Sequence, residues 1–451
     1  MEAVEREVVR HELDALATEL AAERFRHVAG LEPVPSLVPI FDAHSGAAHK
    51  DTVRNLEADG EKDLARRVAA MRAERAQALD EEAWRARDTE ASAFGPEGKV
   101  SLHDAALAVM RERHRERRLS FGRVLAETAS IPSREAAVEK RARARSEVGL
   151  LPDWERVVDA DALLSTCDDA YRDVLAWLAR REAELALPPH GDLSRADLLF
   201  VLALHTWDGL FPRGMLALTL ERTAAPLKLD LSRVRIDQAD RPAQWPGAHA
   251  LEGRVSFRRQ GGATDYLALF DAVGQALAAA AAPAHRRHPA ATFTLGSLLA
   301  SLLLDRGFLV ARLGVERKHA VDLSRALAVR QLFRSRARAA ACRVATEVER
   351  GTSGAAWHEA YREAMSLAAL ASWPAALAAR DGDASSAGAA LQGAARAERL
   401  RRTLVERCDE DWWKNPRSAD LLGTWLAAGG AWAEDEPKLP LAAEALVEKL
   451  Q

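Results

Sequence analysis

The sequence predicts a mostly α-helical protein that contains one small antiparallel β-sheet. Long segments carry apolar residues at the three- and four-residue spacing of amphipathic helices, and glycine or proline separates these segments. Between residues 227 and 258, apolar and polar residues alternate instead, as they do in half-buried strands. The chain of 451 residues shows no internal repeat and no linker long enough to divide it. We therefore expect a single large helical unit, 1–451.

The N-terminal part is predicted to consist of helices joined by short turns. In the first helix, Val9, Leu13 and Leu16 repeat on one side, and Gly30 ends the helix. Residues 94–99 contain glycine and proline and predict a turn. The predicted helical segments are 2–28, one after Pro35, 61–88, 101–129, two within 154–187, and 192–207 with Asp192 or Ser194 as its cap.

Three segments are rich in arginine: RERHRERRLSFGR (111–123), KRARAR (140–145) and RSRARAAACR (334–343). Arginine and glutamate alternate in the first of them, which is typical of a solvated helix face. The formal net charge of -4 gives no electrostatic reason to propose nucleic acid as a partner. We therefore predict that these segments are exposed helix faces and that the chain binds no nucleic acid.

The small sheet is predicted in the middle of the chain. Its strands are separated by the proline-containing segment ADRPAQWPGAHA (239–250), which predicts a loop. The second strand leads directly into a glycine pair, Gly261 and Gly262. The alternating apolar positions are Leu227, Leu229, Leu231, Val234 and Ile236, and then Val255 and Phe257.

The glycine pair opens GGATDYLALFDAVGQALAAAAAP (261–283), which predicts the central helix of the protein. Thr264 or Asp265 is a plausible N-cap. Because one side carries large apolar residues and the other carries alanines, both faces are able to pack. The large residues are Tyr266, Phe270, Val273 and Leu277, and the small ones are Ala268, Ala272, Ala276 and Ala279.

Two polar residues and a glycine stand out on this helix. Asp271 and Gln275 are four residues apart and therefore lie above one another on one face. Gly274 in a helix interior costs about 1 kcal/mol relative to alanine, which indicates that another part of the chain approaches closely there. The pattern predicts a buried helix that carries a site around Asp271 and Gln275.

The C-terminal part returns to helices. Residues 292–310 predict a strongly apolar helix and 321–349 a long one. The alanine-rich segment 367–397 is broken by Pro374 and by ARDGDASSAG (379–388). The last predicted helices follow Pro416 and Pro440.

Several classes of protein are not indicated by the sequence. The three cysteines are far apart and odd in number, so neither a disulfide framework nor a zinc knuckle is predicted. The acidic start MEAVEREVVR is unlike a signal peptide, and the longest uncharged run, 289–304, is too short for a membrane span. There is no P-loop, no dinucleotide-binding glycine motif and no Gly-x-Ser-x-Gly elbow. We expect a cytoplasmic bacterial protein with no membrane span.

Four stretches, in this order, resemble the oligoendopeptidase-type (M3-like) zinc metallopeptidases. They are AERFRHVAGLEPVPSLVPIF (22–41), DQADRPAQWPGAHA (237–250), RVSFRRQGGATDYLALFDAVGQAL (254–277) and CDEDWWKNPRSADLLGTWLAAGG (408–430). The resemblance extends over most of the chain. It implies two helical lobes around a cleft, an N-terminal lobe of residues 1–195 and a C-terminal lobe of residues 196–451.

In that family the helix after the glycine pair carries His-Glu-x-x-His. The two histidines bind zinc and the glutamate acts as general base on a zinc-bound water. The resemblance places the histidine positions at Asp271 and Gln275 and the glutamate position at Ala272. Gln275 is a poor zinc ligand and Ala272 has no group that accepts a proton. The motif is therefore degenerate at all three positions.

The family's remaining functional groups are missing as well. The resemblance implies a third ligand, a glutamate on the next helix, but 290–301 contains no acidic residue. It also implies a tyrosine that stabilises the transition state, but the comparable segment 384–395 contains no tyrosine. We expect zinc to be absent, with no catalytic residue and no other cofactor.

The favoured hypothesis is an inactive metallopeptidase-like protein, a pseudoenzyme, that binds or scaffolds a peptide or protein partner. The residues predicted to line its cleft are Arg258, Tyr266, Asp271 and Gln275. An alternative is an active hydrolase whose metal site has moved to His285 and His288. A third is a subunit that positions an active partner, with Trp412 and Trp413 either at the interface or in the core.

Overall fold

The computed structural model describes residues 3–129, 132–149, 160–182, 193–381, 386–431 and 436–450, and the predicted fold class is confirmed. The described chain is mostly α-helical and has two small sheets. The first helices are α1 Ala3–Val28, α2 Val38–Ala43, α3 Lys50–Ala58, α4 Lys62–Glu90, α5 Leu102–Arg111, α6 Arg115–Ala129, α7 Pro132–Ser146, α8 Ala160–Arg181, α9 Arg195–Val201 and α10 Leu216–Ala224. The later helices are α11 Gly262–Ala281, α12 Ala291–Ser301, α13 Arg306–Leu313, α14 Arg317–Glu349, α15 Gly354–Ala369, α16 Ala378–Asp381, α17 Ala387–Cys408, α18 Pro416–Ala427 and α19 Pro440–Leu450.

Several helix boundaries follow the local signals in the sequence. Gly30, at φ +66°, follows the end of α1 as predicted, because glycine adopts the left-handed conformation without strain. Ser194 and Asp197 form a reciprocal capping box at the start of α9. Of the two helices predicted within 154–187, α8 is described, and the flanking residues 150–159 and 183–192 lie outside the described ranges.

Strands lie between α4 and α5 and before α11. β1 Ser92–Gly95 and β2 Gly98–Ser101 form a hairpin. Its turn, residues 96–97, lies within the predicted turn 94–99. The second sheet has the order β3-β5-β4, with β3 Arg235–Asp237, β4 Gly247–Leu251 and β5 Arg254–Arg258. As predicted, this sheet is small and precedes the central helix; β4 and β5 are antiparallel, and β3 is added in parallel.

The details of the second sheet differ from the prediction at both ends. The predicted strand at 227–231 is wrong: Leu227 and Leu229 are buried but lie in an irregular segment, and Leu231 begins a 3₁₀ turn. Part of the predicted loop 239–250 is instead β4. Burial of alternate leucines does not require a strand, because an irregular segment on the core surface also buries alternate side chains.

The helix α11 lies in the main hydrophobic core and is buried on both faces. Its N-cap is Gly261, three residues before Thr264 and four before Asp265, the two predicted positions. The Asp265 carboxylate accepts hydrogen bonds from the N–H groups of Gln260 and Gly261. The large stripe packs against other aromatic rings, with Tyr266 5.1 Å from Phe211 between ring centroids. The predicted central helix is confirmed.

The predicted single helix at 292–310 is two helices. After α12 a 3₁₀ turn, Leu302–Leu304, leads to Asp305, whose side chain caps α13 by accepting from the N–H of Phe308 at 2.8 Å. An N-capping aspartate starts a new helix direction, and continuous apolar character does not reveal this change. Within the described ranges no single helix is both long and apolar enough to cross a membrane; Ala291–Leu304 and Arg306–Leu313 meet that test only as a pair bent by 78°.

The prediction that the arginine-rich segments are exposed faces is wrong for several residues. The side chains of Arg118 and Arg336 are 0% exposed, and each forms a 2.7 Å ion pair, with Asp197 and Asp168 respectively. Arg141 is also buried. Their partners lie on other helices and far away in sequence, so the local alternation of charges did not indicate them.

Candidate functional site

Asp271 on α11 is held by two hydrogen-bond donors. Its Oδ2 lies 2.6 Å from Nη2 of Arg334 on α14, and its Oδ1 accepts from Nε2 of Gln275 at 2.9 Å. The predicted stacking of Asp271 on Gln275 is therefore confirmed. Only 10% of the Asp271 side chain is exposed, whereas 31% of the Arg334 side chain is exposed.

The charge state of Asp271 follows from its neighbours. Burial by itself would raise the pKa of this carboxyl, but the guanidinium groups of Arg334 and Arg338 and the two hydrogen bonds outweigh burial. The pKa of Asp271 is therefore lowered, and the carboxylate is ionised at neutral pH. It is a paired anion on the wall of a cavity described below.

The helices α11 and α12 meet closely beside Asp271. A Cβ atom added to Gly296 would lie 2.5 Å from Oδ1 of Asp271 and 2.8 Å from Cγ of Gln275. A Cβ atom added to Gly274 would lie 2.7 Å from the carbonyl oxygen of Leu295. The close approach predicted at Gly274 is confirmed, and it is a contact between two helix backbones.

The residues at the positions that the resemblance assigns to the zinc motif do not fit a zinc ion. A catalytic zinc site needs three ligands and one open coordination position. Both oxygens of Asp271 already accept hydrogen bonds, Ala272 is 2% exposed in the core, and the α12 backbone at Gly296 fills the adjacent space. Among the described residues there is no group of three or more histidine, cysteine or acidic side chains positioned to hold a metal.

The histidines of the alternative metal site are held by separate partners. Nδ1 of His285 lies 2.7 Å from Oδ2 of Asp14. Nδ1 of His288 lies 2.8 Å from Nη1 of Arg396, and burial together with Arg396 and Arg67 lowers the pKa of His288 to about 3. Glu436 lies 3.5 Å from Nε2 of His288, but its carboxylate is paired with Arg396 at 2.9 Å. A guanidinium beside the ring repels a cation, so this environment disfavours a metal at His288.

A cavity of about 1030 Å³ lies next to Asp271. The helix α14 contributes Gln331, Arg334, Ser335 and Arg338, which follow the spacing of one helix face. The 3₁₀ turn Trp412–Lys414 and the helices α17 and α19 form other walls. Arg306, Asp409 and Glu410 line the cavity and are exposed, which places them at its mouth.

Arg338 differs from its neighbour Arg334. Its guanidinium has no hydrogen-bond or ion-pair partner within the described ranges, and the residue is half-buried. Burial and the nearby Arg334 lower the pKa of Arg338 to about 10, although Asp271 opposes this shift. The cavity wall therefore carries a cation that lacks an intramolecular anion bonded to it.

The residues predicted to line a cleft are distributed over different parts of the structure. Asp271 lines the cavity, and Gln275 bonds to Asp271 without being part of the lining. Tyr266 is buried and donates to the carbonyl oxygen of Pro212 at 2.7 Å. Arg258, the last residue of β5, is buried and pairs with Asp240 at 2.9 Å. Tyr266 and Arg258 are therefore packed inside the protein near α11 and do not line this cavity.

The tryptophan pair lies in the core. Trp412 and Trp413 are each 3% exposed, and Trp413 packs edge-on against Phe308 with ring centroids 5.2 Å apart. Both residues also contribute to the cavity wall. Of the two alternatives for this pair, the core, which the sequence favoured over an interface, is confirmed.

The sequence predictions do not include the polar residues that α14 contributes to the cavity, called the α14 stripe below. Gln331, Arg334, Ser335 and Arg338 recur at three- and four-residue spacing in a helix that is otherwise largely buried. That spacing indicates a polar stripe, but the prediction of a solvated charged face for 334–343 does not distinguish these residues from the other arginines of the segment.

Comparison with known proteins found no matching protein-family model and no matching curated protein. Among solved structures, the chain is similar to M32 carboxypeptidase from Deinococcus radiodurans R1, with 14% identity, a TM-score of 0.49, and coverage of 98% of this chain and 95% of that chain. It is similar to BsuCP with 11% identity, a TM-score of 0.49 and 98% coverage of both chains. It is also similar to Trypanosoma cruzi metallocarboxypeptidase 1, with 13% identity, a TM-score of 0.46, and coverage of 97% and 96%.

Proposed function

We propose that this protein is a catalytically inactive metallopeptidase-like protein that binds a peptide, or an extended segment of a protein partner, in the cavity beside Asp271. One observation carries the proposal. The contact between α11 and α12 fills the position where the resemblance would place a metal, while a cavity of about 1030 Å³ is retained next to it.

The loss of peptidase chemistry follows from the residues at the motif. Hydrolysis by a zinc peptidase needs a metal-bound water and a base that accepts its proton. Ala272 has no such group, and the carboxylate of Asp271 is already bonded to Arg334 and Gln275. The proposed role therefore depends on binding and not on a chemical step.

The cavity suits a peptide in size and in chemistry. Ligand sites typically measure roughly 300–1,000 Å³ and combine apolar walls with a few polar groups. Leu302, Trp412 and Leu446 supply apolar surface here, and the α14 stripe supplies charged and hydroxyl groups. Such a surface accommodates a few residues of an extended chain.

The proposal is tested by selecting peptides from a displayed random library on the full-length protein. Ala445 lines the cavity, so Ala445→Trp would fill part of it, and Ala427→Trp adds the same side chain at an exposed position on α18. We expect selected peptides to lose affinity by about tenfold or more with Ala445→Trp, because the indole occupies their volume, and to be unaffected by Ala427→Trp. Equal affinity for both variants, or no selected peptide at all, would contradict the proposal.

The alternative of a relocated metal site has its own test. Metal analysis of the purified protein is expected to find no stoichiometric zinc, and peptidase assays with added zinc are expected to show no hydrolysis. Stoichiometric zinc that is lost in His285→Ala would overturn the pseudoenzyme proposal.

Rebuilding the motif is expected to fail. The triple change Asp271→His, Ala272→Glu and Gln275→His introduces ionisable groups against the α12 backbone and into the core, where Ala272 is 2% exposed. We expect a destabilised protein without peptidase activity, measured by thermal unfolding and peptide hydrolysis with added zinc. Recovered hydrolysis would show that a third metal ligand is present elsewhere.

A further inference from the structure

The α14 face beside Asp271 carries more positive charge than its carboxylate balances. Arg334 uses two of its donors, one to Asp271 at 2.6 Å and one to Oε1 of Gln331 at 3.1 Å. Arg338 is one turn further along the same face and has no bonded partner among the described residues. With one carboxylate against two guanidinium groups, this wall of the cavity has a surplus of one positive charge.

We propose that this wall is a binding site for one oxyanion group of the ligand, a carboxylate or a phosphate, held by the guanidinium of Arg338 and the hydroxyl of Ser335. The inference rests on the proposed function in that the cavity takes a ligand, and it specifies the chemistry of one part of that ligand. Arg338 and Ser335 are three residues apart on α14 and both line the cavity.

A guanidinium suits an oxyanion better than other ligand groups. It presents a planar set of donors that matches two oxygens of a carboxylate or phosphate. The hydroxyl of Ser335 likewise has no partner within the described part of the chain, although the residue is 6% exposed. Both groups are therefore available to bond a ligand without breaking a contact of the protein.

The electrostatic environment also favours an incoming anion. Burial and the charge of Arg334 lower the pKa of Arg338 to about 10, which shows that its charged form is under-stabilised. A bound oxyanion supplies the missing opposite charge in a partly desolvated place, where a charge pair is stronger than in water. Asp271 neutralises Arg334, so one negative charge is sufficient.

The mouth of the cavity restricts the rest of the ligand. Asp409, Glu410 and Glu448 line the cavity and are exposed, and they outnumber Arg306, the exposed arginine at the same mouth. These acidic groups repel a polyanion such as a nucleic acid or a polyphosphate chain. A positively charged wall behind an acidic mouth favours a ligand that has a single oxyanion and is otherwise neutral or cationic. A peptide with one carboxylate has both properties, whereas inorganic phosphate supplies only the oxyanion.

The test measures oxyanion binding by the full-length protein in thermal-shift and calorimetric titrations. The probes are inorganic phosphate, N-acetyl-tetra-alanine with a free carboxyl terminus, and the same peptide with a terminal amide, each compared with chloride at equal ionic strength. We expect the first two to raise the unfolding temperature and the amide to have no effect, because binding to the folded state alone stabilises it. A larger effect of the acid peptide than of phosphate identifies a peptide as the source of the oxyanion.

Three variants locate the site. Arg338→Gln removes the charge and is expected to weaken binding by about tenfold or more, the usual range for a lost charge-assisted hydrogen bond. Arg338→Lys keeps the charge but not the planar donors, and is expected to retain phosphate binding better than carboxylate binding. Arg343→Gln removes an exposed charge from the same helix, where Arg343 pairs with Asp161 at 3.2 Å, and is expected to bind like the native chain.

Two outcomes overturn the inference: no probe exceeds the effect of chloride, or Arg338→Gln binds as well as Arg343→Gln. The inference and the proposed function fail separately. If library peptides bind in the cavity and their affinity is unchanged by Arg338→Gln, the inference is wrong and the proposed function stands. If phosphate binds through Arg338 but no peptide is selected, the proposed function is wrong and the oxyanion site stands.

Discussion

Two buried carboxylates of this protein are held in a similar way but lie in different surroundings. Asp197 on α9 is 0% exposed and accepts from Arg118 at 2.7 Å, from Arg115 at 3.0 Å and from the hydroxyl of Ser194 at 3.0 Å. Asp271 on α11 accepts from Arg334 and Gln275, and faces a cavity. Both have a lowered pKa, because hydrogen bonds and positive charges outweigh burial.

The difference between the clusters lies in the second arginine. Both arginines near Asp197 are bonded to it, and Arg118 is fully enclosed, so that cluster is complete as a structural connection between α6 and α9. Near Asp271 the second arginine, Arg338, is left without a bond among the described residues and lines the cavity. Both clusters set two guanidinium groups against one carboxylate, so they differ in bonding and not in charge. Two cations bonded to their carboxylate indicate a structural role, whereas a cation on a cavity wall without a bond to a described residue indicates a ligand.

The largest expected effect comes from breaking the complete cluster. Arg118→Ala leaves Asp197 buried and less well paired, and is expected to lower the free energy of unfolding by about 3–5 kcal/mol. Arg334→Ala is expected to cost less, about 1–3 kcal/mol, because water reaches that pair. Urea unfolding measures both. Arg117→Ala, at a half-exposed neighbour of Arg118 that pairs with the exposed Glu97, is expected to stay within about 0.5 kcal/mol of the native chain. A larger loss for Arg334→Ala than for Arg118→Ala would contradict the comparison.

The second effect concerns the helix contact beside Asp271. Gly296→Ala places a methyl group against Asp271 and Gln275, and is expected to destabilise the protein by about 1–3 kcal/mol. Gly423→Ala is the matched control, because Gly423 lies in α18 with nothing within 4 Å of the added Cβ. There alanine is expected to stabilise the chain by about 0.5–1 kcal/mol. Thermal unfolding of both variants tests the contact, and equal effects would show that α11 and α12 separate easily.

The third effect is a dependence on pH. Since the folded-state pKa values of Asp197 and Asp271 lie below their unfolded values, each ion pair contributes its full stability above the ordinary carboxyl pKa of about 4. That contribution is lost as the pH falls through the lowered folded-state pKa. Asp271→Asn is expected to lower the free energy of unfolding by about 1–2 kcal/mol at pH 7. The difference in this free energy between the variant and the native chain is expected to shrink as the pH falls.

Denaturation of native and Asp271→Asn protein from pH 7 to pH 2 measures this convergence. Asp420→Asn, at an exposed pair with Lys228, serves as the control and is expected to show no such change. A difference for Asp271→Asn that stays constant with pH would contradict an ionised, paired Asp271.

The smallest expected effect on stability comes from the surplus cation. Arg338→Gln removes no bond to a described residue and is expected to change the free energy of unfolding by less than about 0.5 kcal/mol, or to increase it, in the absence of ligand. Urea unfolding without added oxyanion measures this. A loss of more than about 1 kcal/mol would show that Arg338 has a structural role like that of Arg118.

The sequence by itself determined the features that depend on near neighbours in the chain. Helical periodicity predicted α11 with both faces packed, the four-residue spacing predicted that Asp271 and Gln275 lie above one another on one face, and Gly274 predicted a close approach. These features follow from the geometry of one helix, in which residues three and four apart always meet.

Only the tertiary structure decided what these residues contact. Arg334 and Asp271 form an ion pair although they are 63 residues apart in the sequence. Nothing in the sequence around Gly296 indicates its close contact with Asp271 and Gln275, which forms only because α12 packs against α11. The cavity likewise arises where α14, α17 and α19 come together, and Arg338 lies on its wall. Charge patterns along one helix do not specify which distant carboxylate neutralises which arginine, because that depends on packing between helices. The same arginine-rich segment therefore contains the buried, paired Arg336 and also Arg338, which has no bonded partner in the part of the chain that the structure describes.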